Sequence, residues 1–322
     1  MLKITSYGEV TRFDISRTLA GRGRYWTTAY LLGGTLVDSG CAHSASELLG
    51  ALASTSITRI VNTHSHEDHI GGNGPLQASR AYPATTGIEP KSAGINLEVR
   101  AHPLALPVLA DPHRRQPLHP YRRLFWGWPE PCLAQPLCDG ELLRCGDYQL
   151  QVIFTAGHSP DHLCLYEPQR GWLFTGDLFV GGRERALLTP VPGIGGQDIW
   201  TSITALKRLA GLPAQRMFPG SARVRDDPAR ELAGKAAYLE KMGERVLDMH
   251  RAGKSVPEIT RLVCGGPMWI ELFTLGHFSR RQLVLSYINS LEFKPPGGER
   301  KEDCCKTEHG MSQLELLILF DF

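Results

Sequence analysis

Thr63-His64-Ser65-His66-Glu67-Asp68-His69-Ile70-Gly71-Gly72 decides how the rest of this chain is read. Three imidazoles and the Asp68 carboxylate fall within six residues, and the segment ends in two glycines. In an extended segment side chains two apart point the same way, so His64 and His66 can grip one ion together. Asp68 and His69 come after the direction changes and can face a second. Neutral imidazole and carboxylate at this density suit zinc, iron or manganese better than calcium or magnesium. The plainer alternative is a surface loop that happens to be rich in His.

The flanks favour the metal reading. Ile57-Thr58-Arg59-Ile60-Val61-Asn62 is a β-branched run that predicts a buried strand. Gly71, Gly72 and Gly74 permit a sharp turn after the cluster. A ligand cluster at the carboxyl end of a strand is where α/β sheets usually place their sites. The string His-x-His-x-Asp-His resembles the signature of the metallo-β-lactamase superfamily of metal-dependent hydrolases, with the glyoxalase II and lactonase-like branch as the nearest fit. Further along, Gly157-His158-Ser159 and Gly176-Asp177 match the family's next two ligand turns. The last turn, Pro219-Gly220-Ser221, carries Ser where the family has His. The resemblance covers roughly residues 24 to 225.

That resemblance implies an α/β fold, a four-layer αβ/βα sandwich of two mixed β-sheets flanked by helices. It implies a first metal site of His64, His66 and His158. Asp68, His69 and Asp177 would form a second, with Asp177 bridging. Zinc, as one or two ions, is the expected cofactor, with iron or manganese as alternatives. Two ions about 3.5–4 Å apart would hold a hydroxide for attack on a carbonyl or phosphoryl centre. Asp68 would pass a proton to the leaving group. Ser221 leaves three readings open: the second site works with three groups, His277 or His43 stands in, or one metal suffices. The expected substrate is a small ester, thioester or lactone. The alternatives are a degenerate member that binds a metabolite or partner, and a mononuclear-iron enzyme of the sulfur dioxygenase kind.

Composition narrows the field. A chain of 322 residues, 42% hydrophobic and 21% charged, can bury a substantial core. A net charge of +2 gives no electrostatic case for nucleic acid or a membrane surface as partner. Residues 1–20 hold no apolar run, no stretch approaches the ~20 residues of a membrane span, and a cytoplasmic protein is expected. Oligomeric state is not legible. The cysteines show no C-x-x-C pair and are expected to be reduced.

The expected organisation is a catalytic region 1–225 with an insertion 102–137, a helical extension 226–294 and a flexible tail 295–322. The insertion holds eight prolines and the aromatics Tyr121, Phe125, Trp126 and Trp128, and is expected to lie over the site as irregular chain. Helices are predicted over 47–53 (N-cap Ser44 or Ser46), 76–79, 198–209, 229–252, 257–263 and 279–291. Asp38 is expected to orient a metal-bound His. His162 reads as structural, and His102, His113 and His119 as surface imidazoles. Arg183 and Arg185 could meet an anionic substrate but more simply are exposed charges.

Overall fold

Alternation of side chains along the strands sorts the apolar residues into three layers, and so builds a four-layer molecule. The structure, a computed structural model, describes residues 1–19, 21–80, 97–117, 119–180, 193–194, 197–266 and 268–289. Arg183, Arg185 and the 295–322 tail lie outside the described residues.

The first sheet runs β1 (Leu2–Tyr7), β2 (Val10–Leu19), β3 (Arg22–Leu32), β4 (Thr35–Val37), β5 (Arg59–Val61), β6 (Glu98–Ala101) and β7 (Gln135–Pro136), in that order. It is antiparallel as far as β4 and parallel from there on. The second contains β8 (Leu142–Cys145), β9 (Tyr148–Phe154), β10 (Leu163–Glu167) and β11 (Trp172–Gly176). A short strand, β12 (Gly193–Ile194), pairs away from this sheet. β13 (Arg216–Pro219) closes it, parallel to β11, and β14 (Phe278–Ser279) is the partner of β12.

Leu150, Val152, Leu163, Leu165, Phe174 and Phe218 of the second sheet face inward onto Tyr30, Leu32, Val37 and Val61 of the first. Their neighbours Ile153, Cys164, Tyr166, Leu173 and Met217 point the other way. They meet α7 (Ile199–Ala210), α8 (Pro228–Arg251), α9 (Val256–Cys264) and α11 (Arg280–Asn289). On the far side of the first sheet, Phe13, Ile15, Leu36, Ile60 and Val99 pack on helices. These are α1 (Ala45–Ala51), α3 (Asn73–Arg80) and α4 (Leu106–Ala110); α2 (Glu67–Ile70) lies between them in the chain. The expected sandwich of two mixed sheets flanked by helices is the observed fold.

Two expectations change. Residues 1–19 form β1 and β2, which the sequence reading left unassigned. β1 is an edge strand with most of its residues exposed, so it shows little alternation. The 102–137 stretch is more regular than expected, with α4, α5 (Pro112–Arg115), α6 (Pro120–Trp126) and β7. A proline stands in the first turn of each of these helices, where its missing N–H is not needed. A smaller difference lies at α1, where Ser44 precedes the helix but its hydroxyl donates to Ser16 O instead of capping.

Phe174 is fully buried, stacked on Phe218 at 5.0 Å and edge-on to Tyr30 at 5.6 Å. Phe174→Ala is expected to destabilise by about 3–5 kcal/mol. Ile4→Ala, on the exposed edge, should change stability by no more than about 0.5 kcal/mol. Urea unfolding of the two variants checks the layer assignment.

Candidate metal centre

Asp38 directly follows β4, beside the end of β5, and its φ of 59° is unusual for a residue with a side chain. That backbone aims a buried carboxylate at the motif. Asp38 accepts from Thr63 N at 2.7 Å and from Thr63 Oγ1 at 2.8 Å. Its Oδ2 also lies 2.8 Å from His69 Nδ1. The tautomers follow from these partners. His69 keeps a proton on Nδ1 toward Asp38, so Nε2 is the position where a second proton or a metal ion would sit. The Thr63 hydroxyl, already donating to Asp38, accepts from His64 Nδ1 at 3.1 Å, which leaves His64 Nε2 as a lone pair.

The glycines after the motif allow this approach. A Cβ on Gly71 would sit 2.1 Å from Ala42 N, and one on Gly72 would sit 2.6 Å from Ser39 O. Gly176 (φ +46°) and Gly220 serve the other turns, where a Cβ would meet Thr63 at 2.8 Å and Asp177 Oδ1 at 2.7 Å.

His64, His66 and His158 converge. His66 Nδ1 lies 3.0 Å from His64 Nε2 and 3.1 Å from His158 Nε2. A proton on His66 Nδ1 can be donated to only one of these two neighbours, whereas a cation among the three nitrogens would be shared by all of them. Ligands at about 2.0–2.1 Å from a tetrahedral zinc would be about 3.3 Å apart, close to the observed separations. Burial lowers the pKa of all three, most strongly for His64 and His66, so they are neutral as ligation requires. A second trio, His64, His69 and Asp177, also brings its ligand atoms within 4.8 Å of one another. His69 Nε2 is buried with no hydrogen-bond partner among the described residues. Asp177 Oδ2 is 3.5 Å from it and Asp68 Oδ2 3.8 Å.

Burial opposes the His69 cation, but Asp177, Asp38 and Asp68 outweigh it and raise its pKa well above the usual range. Burial likewise opposes the Asp177 anion, and His69 overrides it and lowers its pKa. Asp68 is pushed up to about 7 by burial. An orphaned imidazole nitrogen facing two carboxylates, beside three converged neutral imidazoles, fits one or two divalent transition ions. Asp68 faces the cavity but belongs to neither trio.

Ser221 Oγ donates to Asp177 Oδ1 at 2.8 Å. Neither proposed stand-in joins a trio. His277 Nδ1 meets Tyr121 OH at 2.6 Å and its ring stacks on His119, while His43 Nε2 meets Arg123 O at 3.0 Å. His162 Nδ1 pairs with Thr155 Oγ1 at 2.9 Å. His102 Nδ1 accepts from Leu104 N, and His113 lies against Trp128.

The sequence reading overlooked how the motif's variable positions are used. Glu67 is buried and ion-paired through both oxygens to Arg122 of α6. Gln116 donates to Ser65 O, and Asp161 accepts from Ser65 N at 2.8 Å. A charged residue inside a buried ligand loop was itself the available signal, because such a charge needs a partner. Tyr121, Arg122, Phe125 and Trp126 of α6 line a cavity of about 290 Å³ that also touches His66, Asp68, His158 and Asp177. Lys235 of α8 lines it as well.

Comparison with known proteins agrees with this geometry. The profile of the Metallo-beta-lactamase superfamily matches residues 27–221, more than half of the chain. The chain belongs to the metallo-beta-lactamase superfamily. It is 32% identical over 162 residues to a hydroxyacylglutathione hydrolase of Maricaulis maris, covering 50% of this chain and 46% of that one. It is 25% identical over 206 residues to an atrochrysone carboxyl ACP thioesterase of Aspergillus fumigatus, covering 62% and 51%. The chain thus spans about half the length of the curated relatives it matches. A metallo-beta-lactamase family protein of Thermus thermophilus shares the fold with a TM-score of 0.59 at 19% identity, over 88% of this chain and 93% of that one. Among the described residues no helix is long and apolar enough to cross a membrane.

Asp38→Ala should weaken metal binding by about 10–100-fold, because His69 and His64 lose the partner that sets their tautomers. Competition with a chromogenic chelator reads this out. Arg122→Ala leaves Glu67 as an unpaired buried charge and should cost about 3–5 kcal/mol in thermal or urea unfolding. Combining Arg122→Met with Glu67→Gln should recover part of that loss.

Proposed function

We propose that this protein is a metal-dependent hydrolase acting on a thioester or a related small ester or lactone. The observation that carries the reading is the convergence of His64 Nε2, His66 Nδ1 and His158 Nε2 beside the His69–Asp177 pair, with His66, His158 and Asp177 lining one cavity. The relatives named as a hydroxyacylglutathione hydrolase and an acyl carrier thioesterase favour a thioester among these substrates.

His64, His66 and His158 would hold the first ion, and His69 with Asp177 the second, with Asp68 the remaining group on that side. A divalent ion there supplies Lewis acidity and a low-pKa water. The chain's own groups supply position. Asp38 fixes two imidazoles, Ser221 fixes one oxygen of Asp177, and Asp68 faces the cavity where it can carry a proton to the leaving group. Arg122 and the α6 aromatics form one side of the cavity. A soluble small molecule in the cytoplasm is the proposed substrate setting.

Elemental analysis of chelator-free protein should find near one equivalent or more of zinc, iron or manganese. Metal-loaded protein should cleave a hydroxyacylglutathione or an aryl thioester. His66→Ala and Asp177→Ala should remove that activity, whereas Ser221→Ala should retain most of it. Full turnover in metal-free protein would overturn the proposal. Because Ser221 replaces a ligand His, tight metal without turnover on any ester, thioester or lactone would favour a metabolite-binding role instead.

A further inference from the structure

The cavity beside the histidines contains a cation that the reaction described above does not use. α8 buries the stripe Leu232, Ala236, Leu239, Met242 and Val246, and Lys235 falls in the same stripe. Lys235 is 5% exposed. Its Nζ has no hydrogen-bond or ion-pair partner among the described residues; the Tyr238 ring on the same helix lies 5.7 Å away. The cavity wall is mainly apolar, with Phe125, Ile199, Leu206 and Leu239, and its neutral polar members include Gln197, Ser202 and Thr274.

Other charges on that wall have partners. Arg122 is paired with Glu67, Asp177 with His69 and Ser221, and Asp68 Oδ2 lies 3.8 Å from His69 Nε2. An uncompensated ammonium in such a place is destabilising, and a Met of similar length would fill the stripe without that penalty. Burial lowers the Lys235 pKa to about 8, which still leaves the ammonium mostly charged at pH 7.

We propose that Lys235 recognises a carboxylate on the substrate, carried by an apolar or aromatic body that fills the cavity. What happens at the histidine end rests on the hydrolase reading; the recognition does not. At that end of the cavity the Lys235 ammonium alone matches a monoanion, whereas a phosphate dianion there would keep one negative charge unpaired against apolar side chains. An apolar cavity of about 150 Å³ can hold benzene, so about 290 Å³ has room for one ring and a short acid chain.

The test is calorimetric titration of the zinc-loaded full chain with 4-phenylbutyrate and with its uncharged amide. The acid should bind more tightly than the amide. Lys235→Met should weaken the acid by about 30-fold or more, as when one partner of a buried charge pair is removed, and change the amide little. Melting of Lys235→Met no lower than the natural protein shows that the variant is folded, and Lys235→Gln repeats the measurement with a polar isostere. An acid preference that survives both substitutions would place the carboxylate on the metal and overturn the proposal. Equal binding of acid and amide by the natural protein would also overturn it. A Lys235-dependent preference in a protein that cleaves no ester, thioester or lactone would sustain this proposal while removing the hydrolase reading.

Discussion

The Asp38 carboxylate is the constraint on which the candidate centre depends. It sits at the seam between β4 and β5, almost wholly buried, and its two oxygens take Thr63 N, Thr63 Oγ1 and His69 Nδ1. One side chain therefore fixes where the ligand loop begins and which nitrogen of His69 faces the centre. It also sets His64 through the Thr63 hydroxyl. The left-handed backbone at Asp38 is an expense the surrounding strands must support. They do so because β4 and β5 are parallel neighbours with full apolar cover on both faces.

From that hub the charges can be followed outward. The three nitrogens of the first trio are neutral because they are buried. The second trio holds an imidazole and a carboxylate that stabilise one another's charged forms. Beyond them, the buried Glu67–Arg122 pair ties the ligand loop to α6. This pairing makes α6 part of the centre's support as well as a wall of its cavity. A buried ion pair of this kind adds little net stability, but it penalises any arrangement that separates the loop from the helix. Lys235 lies outside this balance, which is why it draws attention to the substrate.

The sequence by itself determined the candidate ligand turns, and the fold class only through the family that those turns resemble. Three imidazoles at short spacing, two further strand-end turns and a Pro-Gly turn are local patterns, and local patterns survive in a one-dimensional string. The helices α7, α8 and α9 were legible for the same reason, since their apolar stripes repeat within each segment. The N-terminal edge strand was not, because most of its side chains are exposed and carry no alternation. Prolines concealed the short helices of 102–137, although the proline within each of these helices only occupies its first turn.

Only the tertiary structure decided who meets whom. It kept His277 on Tyr121 and His43 on Arg123, and gave Ser221 to Asp177. It grouped His64 with both trios, which spacing along an extended segment could not show. It found Arg122, 55 residues from Glu67, and brought α8 to the same cavity as the motif loop. Such pairings depend on how sheets and helices stack, and the energy that selects them is the burial of charge and apolar surface across distant segments. A lysine in an apolar stripe can be read from sequence as an anomaly. That it faces the cavity of the candidate metal centre is a fact of packing alone.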